Sequence, residues 1–450
     1  MVKSKDELLK KYNIPVPRYT SYPTVPYWSD IPTTAEWLDS LNRAFQIDNP
    51  SVSIYVHLPF CETLCTFCGC NTTITKNHAV EEPYVKALQK EIELYFEQLP
   101  RLNQIEIKEL HLGGGSPTYF SDDHLDILVS SLLKRLNPSQ DAEFSVEVDP
   151  RRTRTTQLEV LYKWGFRRIS LGVQDFDPEV QKIINRIQPF EQTEMITNAA
   201  REMGYQSINF DLIYGLPKQS ISSIEKSMEL TLKLRPDRIA FYSYAHVPWI
   251  KTSQRLFTED DLPKAEEKRN LYELGRKYLE DAGYVEIGMD HFALPVDSLY
   301  KSYLNGKLHR NFMGYTSLKT EVILGLGNSA ISESPDCFHQ NEKLEVKYRK
   351  ILSKGLIPTF KGHKLNGNDI INKQLILKFM TTGEVYVPQG LLEDSKEYLS
   401  DMLEDCLITW EGDKLKVTDI GKPFLRTVCT VFDERLRASR PTKNLFSGAI

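Results

Sequence analysis

Between about residues 50 and 330 the chain alternates between two rhythms, apolar side chains at every second position and apolar side chains at helical spacing. The first buries one face of a strand and the second one stripe of a helix. The pattern predicts strands over 51–58, 109–112, 143–148, 168–173, 207–213, 238–244 and 285–289. Helices are predicted between them, over 82–98, 121–136, 178–185, 191–203, 220–234 and 264–282. Strand then helix, repeated, is the order of a mostly parallel sheet covered by helices. The pair Asp177 and Pro178 marks one helix start, since Asp caps free amides and Pro loses no needed donor at the first position.

The alternation also sorts side chains by face. In 143–148, Phe144, Val146 and Val148 share one face, so Glu147 points to the other at the strand's carboxyl end, where barrel enzymes place their chemistry. In 207–213 the same logic sets Asn209 and Asp211 opposite Ile208, Phe210 and Leu212. Polar groups on an inner face require partners or a ligand. After about residue 340 the rhythm ends, and the rest reads as helical with a short hairpin over 407–410 and 414–417. The first fifty residues are rich in Pro and aromatic residues and read as an ordered arm packed on the barrel. The expected fold class is α/β: a partial (β/α) barrel over 49–345, an N-terminal arm over 1–48, and a smaller, mostly helical C-terminal domain over 346–450.

Composition narrows the function classes. With 41% hydrophobic and 26% charged residues in 450, the chain can bury a large core. A formal charge of −5, without a dense basic block, argues against nucleic acid and for a small-molecule partner. No run approaches the roughly 18 apolar residues of a membrane span, and residues 1–13 lack a secretion signal's apolar core, so the expected location is the cytoplasm, without a membrane partner. No segment demands a protein partner, and a monomer is expected.

The seven cysteines change the picture most. Cys61, Cys65, Cys68 and Cys70 fall within ten residues just after the first strand, while Cys337, Cys406 and Cys429 are scattered and read as buried thiols. In a reducing compartment such a cluster reads as metal-binding. Three thiolates on one tight loop can hold three corners of an iron–sulfur cubane and leave the fourth iron open; structural zinc is the alternative, though zinc modules usually draw ligand pairs from separate loops. Cys70 lies outside the three-ligand pattern and either lines the site or is inert. The glycines 113–115 read equally as a cofactor loop or an ordinary turn. His57, His111 and His246 receive no catalytic role.

The spacing Cys61, Cys65, Cys68 after a first barrel strand resembles the radical S-adenosylmethionine superfamily. Further segments narrow the match: Tyr55 with His57; Gly69, Cys70 and Asn71 directly after Cys68; His111 with Gly113, Gly114, Gly115 and Ser116; Glu147 with Asp149 and Arg151; Gln174 with Asp175; Asn209 with Asp211 and Gly215; Tyr244 with His246. With the arm Arg18 to Thr24 they resemble the oxygen-independent coproporphyrinogen III oxidases of haem biosynthesis. That resemblance implies a radical S-adenosylmethionine barrel, a [4Fe–4S] cluster on Cys61, Cys65 and Cys68, and two molecules of S-adenosylmethionine. It places Tyr55, Gly114, Glu147 and Ile331 at the first molecule, and Phe67, Gly115, Ser116, Gln174, Arg186, Asp211 and Ala245 at the second. Ser116 stands where the family pattern has Thr and keeps the hydroxyl.

The activity implied is conversion of coproporphyrinogen III to protoporphyrinogen IX, two propionates becoming vinyls through a 5′-deoxyadenosyl radical, with an electron donor and acceptor that the sequence does not name. Arg18 and Tyr19 of the arm and the segment His309, Arg310, Asn311 and Phe312 are the candidates for meeting propionates, Arg310 foremost in that segment; surface or interdomain ion pairs are the equal alternative for the arginines. A haem chaperone of the same superfamily is the rival function. The arm Arg18 to Thr24 and the Gly69–Cys70 pair favour the enzyme. Another radical enzyme or a zinc scaffold without turnover also remains open, because a shared fold does not fix the reaction.

Overall fold

The computed structural model describes residues 3–439 together with Phe446 and Gly448, so part of the expected 346–450 segment lies outside the described residues. Twelve strands form its main sheet: β1 Ser51–Leu58, β2 Glu106–Gly114, β3 Asn137–Val148, β4 Phe166–Gln174, β5 Ser207–Tyr214, β6 Arg238–Ser243, β7 Val285–Gly288, β8 His291–Ala293, β9 Val322–Leu326, β10 Ile331–Ser334, β11 Cys337–Asn341 and β12 Thr359–Lys364. Their order in space is β12-β11-β10-β9-β1-β2-β3-β4-β5-β6-β8-β7. Strands β1 to β6 lie side by side in chain order and β9 joins β1 from the other side, all parallel. This is the predicted run, with the expected helices at Glu81–Gln98, Asp122–Leu133, Phe190–Met203, Ile221–Leu234 and Ala265–Asp281, and one that the pattern did not predict, Thr155–Lys163, between β3 and β4.

Burial follows the alternation. Val52, Ile54, Val56 and Leu58 of β1 lie with Leu110, Leu112, Val146, Leu171, Phe210 and Phe241 in one core shared with the helices. The opposite face is polar, and the lower half is closed by ion pairs. Arg168 pairs with Glu143, and Arg238 donates to Asp297 at 2.7 Å, where Ser207 also donates at 2.8 Å. These pairs close the interior at the amino ends of the strands and leave the carboxyl ends for a site. Asp177 caps the amides of Glu179 and Val180 with Pro178 in the first position, as predicted.

Two expectations are corrected. The main sheet does not stop at 345, because β10, β11 and β12 extend it through antiparallel pairing to 359–364. Antiparallel strands need no crossover helix, and β9, β10 and β11 follow one another without one, so the strand–helix rhythm that locates a parallel sheet is broken there. The arm is also not simply laid on the barrel. Leu8, Leu9, Tyr12, Val16, Tyr19 and Tyr22 belong to a second core with Phe379, Leu407, Val428 and Phe432 of the C-terminal segment. Only further along does the arm meet the sheet, where Trp28 stacks on Phe338 at 5.2 Å and Trp37 on His339 at 5.0 Å. The predicted hairpin is present as Ile408–Glu411 and Lys414–Val417, with Glu384–Tyr386 as a third strand. No described helix is long and apolar enough to cross a membrane.

Candidate active site

The cysteine loop leaves the carboxyl end of β1 and is tied down along its length. Phe60–Cys61 pairs with Thr73–Ile74, which closes the loop at its base. The amide of Thr66 donates to the carbonyl of Ile184 at 3.0 Å, and Asn185 donates to the carbonyl of Leu64 at 2.7 Å. From the far side, Gln254 donates to the carbonyl of Phe67 at 3.0 Å and Lys251 to that of Cys70 at 2.9 Å. The sulfurs sit in cationic surroundings: Cys65 Sγ accepts from Arg151 and Arg186, each at 3.5 Å, and Cys68 Sγ accepts from the amide of Cys70 at 3.4 Å. Burial and the neighbouring thiols push Cys61 up to about 12, whereas hydrogen bonding from Cys70 draws Cys68 down to about 6.

Across from the loop, successive strand ends present a connected polar set. His111 of β2 meets the hydroxyl of Ser145 at 2.7 Å and Glu147 Oε1 at 3.3 Å; the amide of Gly114 donates to Glu147 Oε2 at 3.1 Å. Burial opposes ionisation of Glu147, but His111 and that amide outweigh it and hold the carboxyl below its ordinary value. Its side chain remains 44% accessible, so it faces open space within the enclosure formed by the strands. Tyr55 donates to His57 Nδ1 at 3.0 Å, because His57 Nε2 already donates to the carbonyl of Asn71 at 2.9 Å. Gly114, at φ 114°, lies so close to His57 that an added Cβ would come within 2.5 Å of its ring. Only glycine fits there.

Asp149, just beyond β3, holds Arg151 through a bond at 2.7 Å and Arg186 through one at 3.3 Å. Burial raises Asp149, yet the two guanidinium groups bring it down to about 2. Arg186 also donates to the carbonyl of Gly172 at 2.5 Å, and its Nε is buried with no hydrogen-bond partner. At the same strand end Gln174 takes a left-handed φ of 69°, and the β4–β5 register slips between Gly172 and Gln174. Asp211 accepts from Ser170 at 3.0 Å and Asn209 at 2.9 Å; burial, reinforced by the charge of Glu147, lifts it to about 6. Together these groups form a polar wall with three carboxylates, Glu147, Asp149 and Asp211, a thiol loop and a guanidinium that keeps one free donor.

A model of the radical SAM superfamily matches residues 55–231, which run from β1 into the helix after β5 and include the thiol loop and the polar strand ends, though not Lys251 and Gln254. Oxygen-independent coproporphyrinogen III oxidase of Synechocystis is 36% identical over 99% of this chain and 97% of its own length. The enzyme of that name from Escherichia coli is 37% identical over 96% of this chain and 95% of its own. The chain belongs to the oxygen-independent coproporphyrinogen III oxidase family. The solved structure of coproporphyrinogen III oxidase from Escherichia coli, described as a radical SAM enzyme, superposes with a TM-score of 0.89 at 35% identity. It covers 96% of this chain and 100% of its own.

Membership of the oxidase family makes the chain a radical S-adenosylmethionine oxidoreductase and implies a [4Fe–4S] cluster and that cofactor. The residues present fit both. Three thiols of one short loop, Cys61, Cys65 and Cys68, are the soft ligands that a cubane takes at separate corners. Beside the thiols, Gly69 faces open space. Arg151 and Arg186 supply positive charge at Cys65, and the unpartnered Nε of Arg186 awaits an acceptor.

Most sequence-derived candidates of the oxidase pattern come together here. Phe67 and Ala245 are linked through Gln254, which donates to both carbonyls, at 3.0 and 3.3 Å. Gly115 and Ser116 lie against the backbone of Pro59 and Phe60, at the root of the cysteine loop. Ile331 begins β10 beside Gly325 of β9. Tyr19 is the exception: it is 1% exposed in the second core, its hydroxyl donating to Asp433 at 3.0 Å, so the fold does not bring it to the site. The sequence reading named no role for Asp149 and Arg151, although both stood inside a quoted motif. Phe312, read with its segment as a candidate for meeting propionates, lies edge-on to Tyr55 at 5.3 Å, from more than two hundred residues away in the chain.

Proposed function

We propose that this chain converts coproporphyrinogen III to protoporphyrinogen IX without oxygen, by oxidative decarboxylation of the ring A and ring B propionates to vinyl groups. The observation that carries the reading is the thiol loop pinned over the strand ends that hold Glu147 and Asp211, with Arg186 reaching Cys65 from the turn after the helix Pro178–Ile183, in a chain of this family. When bound, the reduced cluster and S-adenosylmethionine supply a 5′-deoxyadenosyl radical that takes a hydrogen atom from the propionate β-carbon. The substrate radical then loses CO₂, forms the vinyl double bond and gives up one electron to a one-electron acceptor.

The chain's own residues bind and orient. Cys61, Cys65 and Cys68 hold the cluster, and Arg151 and Arg186 offset its charge. Two cofactor molecules are accommodated: Tyr55, Gly114, Glu147 and Ile331 serve the first, while Phe67, Gly115, Ser116, Gln174, Arg186, Asp211 and Ala245 serve the second. Supporting this division, Glu147 is held below its ordinary value while burial lifts Asp211 to about 6, so the two carboxylates differ in basicity and suit different partners. The free Nε of Arg186 suits a cofactor carboxylate.

The test is anaerobic reconstitution with S-adenosylmethionine, a reductant, an electron acceptor from cell extract and coproporphyrinogen III, followed by chromatography of the porphyrins. Vinyl product from the wild type and none from Cys65→Ala is expected. Intact cluster and cofactor cleavage without product would overturn the reading and direct attention to haem binding.

A further inference from the structure

At the end of β6, two strands round the sheet from Gly172, cations from distant segments gather. Arg18 of the arm donates to Asp290 at 3.2 Å and to the carbonyl of Ser243 at 3.2 Å, and lies 5.9 Å from the ring centroid of Tyr242. Arg310 donates through Nη2 to the carbonyl of Arg18 at 3.1 Å. Arg310 is 3% exposed, yet its Nε and Nη1 have no hydrogen-bond partner. Lys268 reaches the carbonyl of Tyr244 at 2.9 Å; burial, with the charges of Arg18 and Arg426, lowers it to about 8. Among the described residues, Arg18 is ion-paired with Asp290, while Lys268 and Arg310 have no carboxylate within salt-bridge distance. A buried cation without a counter-charge is costly, and two buried unmet donors on one guanidinium call for an acceptor.

We propose that Arg18, Lys268 and Arg310 form the receptor for the two propionate carboxylates that the porphyrinogen keeps, those of rings C and D. This rests on the coproporphyrinogen reading above. The retained groups are favoured over the reacting ones by the chemistry of the reaction. A leaving propionate turns a carboxylate into neutral CO₂, so an ion pair at that group stabilises the ground state more than the transition state and slows the step. Cations therefore belong where charge persists. The donors of Arg310 lie beneath the arm, so a bound carboxylate would be held between arm and hairpin, the latter formed by His309–Asn311 and Gly314–Thr316.

The test titrates the cluster-loaded protein with coproporphyrin III and, separately, protoporphyrin IX, followed by fluorescence quenching. Protoporphyrin IX keeps the ring C and D propionates and lacks the other two. Arg310→Gln and Arg18→Gln are each expected to weaken both ligands tenfold or more, by similar factors. Weakening confined to coproporphyrin III would assign the cluster to the leaving propionates and overturn the proposal, as would unchanged binding of both. Lys268→Met, with the same expected loss, keeps the test decisive if Arg310→Gln does not fold, and iron content with unfolding temperature shows which variants are intact. Wild-type conversion to vinyl product, scored in parallel, judges the underlying reading independently of these affinities.

Discussion

The two walls of the site are built in opposite ways. The thiol wall comes from one ten-residue loop and the ends of consecutive parallel strands, so its parts lie close in sequence or repeat with the strand rhythm. The cationic wall draws Arg18 from the arm, Lys268 from a helix, Asp290 from the turn between β7 and β8, and Arg310 from a separate hairpin. The first wall is cross-linked by many short hydrogen bonds and presents defined acceptors and donors. The second leaves more buried donors unmet, Nε and Nη1 of Arg310 against Nε of Arg186 alone in the first. A preformed wall suits a cofactor that is always the same, whereas a wall short of counter-charge suits a polyanionic ligand that completes it on arrival.

The strongest way to break this contrast is at the thiol wall. Cys65→Ala is expected to abolish cluster loading and reduce turnover by at least about a thousandfold, since one corner and the contacts to Arg151 and Arg186 vanish together. Visible absorbance and iron content after anaerobic reconstitution check it, and wild-type iron content in the variant would show that the loop is not the holder. Next in size is Arg186→Gln, which removes ties to Cys65, Asp149 and Gly172 at once. Turnover is expected to fall about a hundredfold, with the larger part in reductive cofactor cleavage measured without porphyrinogen. A fall below about threefold would mean that the pinned geometry is dispensable.

The same contrast explains what could be read in advance. Strands β1 to β6 and the helices between them, save Thr155–Lys163, were legible because parallel sheets repeat one pattern, and Glu147 and Asp211 were legible because alternation places them on the polar face. The oxidase family was legible from the cysteine loop and its neighbours. The antiparallel extension β10 to β12 was not, since β9, β10 and β11 are short strands that follow one another with no helix between them. Nor was the fate of Tyr19: next to Arg18 it reads as a site residue, but at φ 48° the backbone turns it into the second core, and no local pattern records that. Asp290 and Lys268 carry no motif, and only the fold brings them to Arg18.

The second core offers a smaller, sharper test of that division. Asp433→Ala leaves the hydroxyl of Tyr19 without its partner and removes the cap on the amide of Leu436. A loss of about 1–3 kcal/mol is expected in denaturant unfolding. Iron content should match the wild type, because the thiol loop is tied to other segments. Reduced iron loading would show that the arm and the C-terminal segment hold the thiol wall as well.

The smallest effect concerns a carboxylate in the interior between the walls. Asp211 titrates at about 6 in the fold because burial, and then the charge of Glu147, disfavour its ionised form. Its folded value is raised above that of the unfolded chain, so folding takes up a proton there at mildly acidic pH. The stability this contributes is fully present below the ordinary value of 3.8 and is lost as pH rises through about 6. Asp211→Asn removes the titration while keeping an acceptor for Ser170. The variant should therefore gain stability relative to the wild type above pH 6 and show little difference below pH 4. With allowance for a half-buried group, the gain is about 1–2 kcal/mol. Thermal unfolding at several pH values reads it. A gain of equal size at all pH values would mean that packing, not charge, distinguishes the two side chains, and that Glu147 and Asp211 do not share a field across the interior.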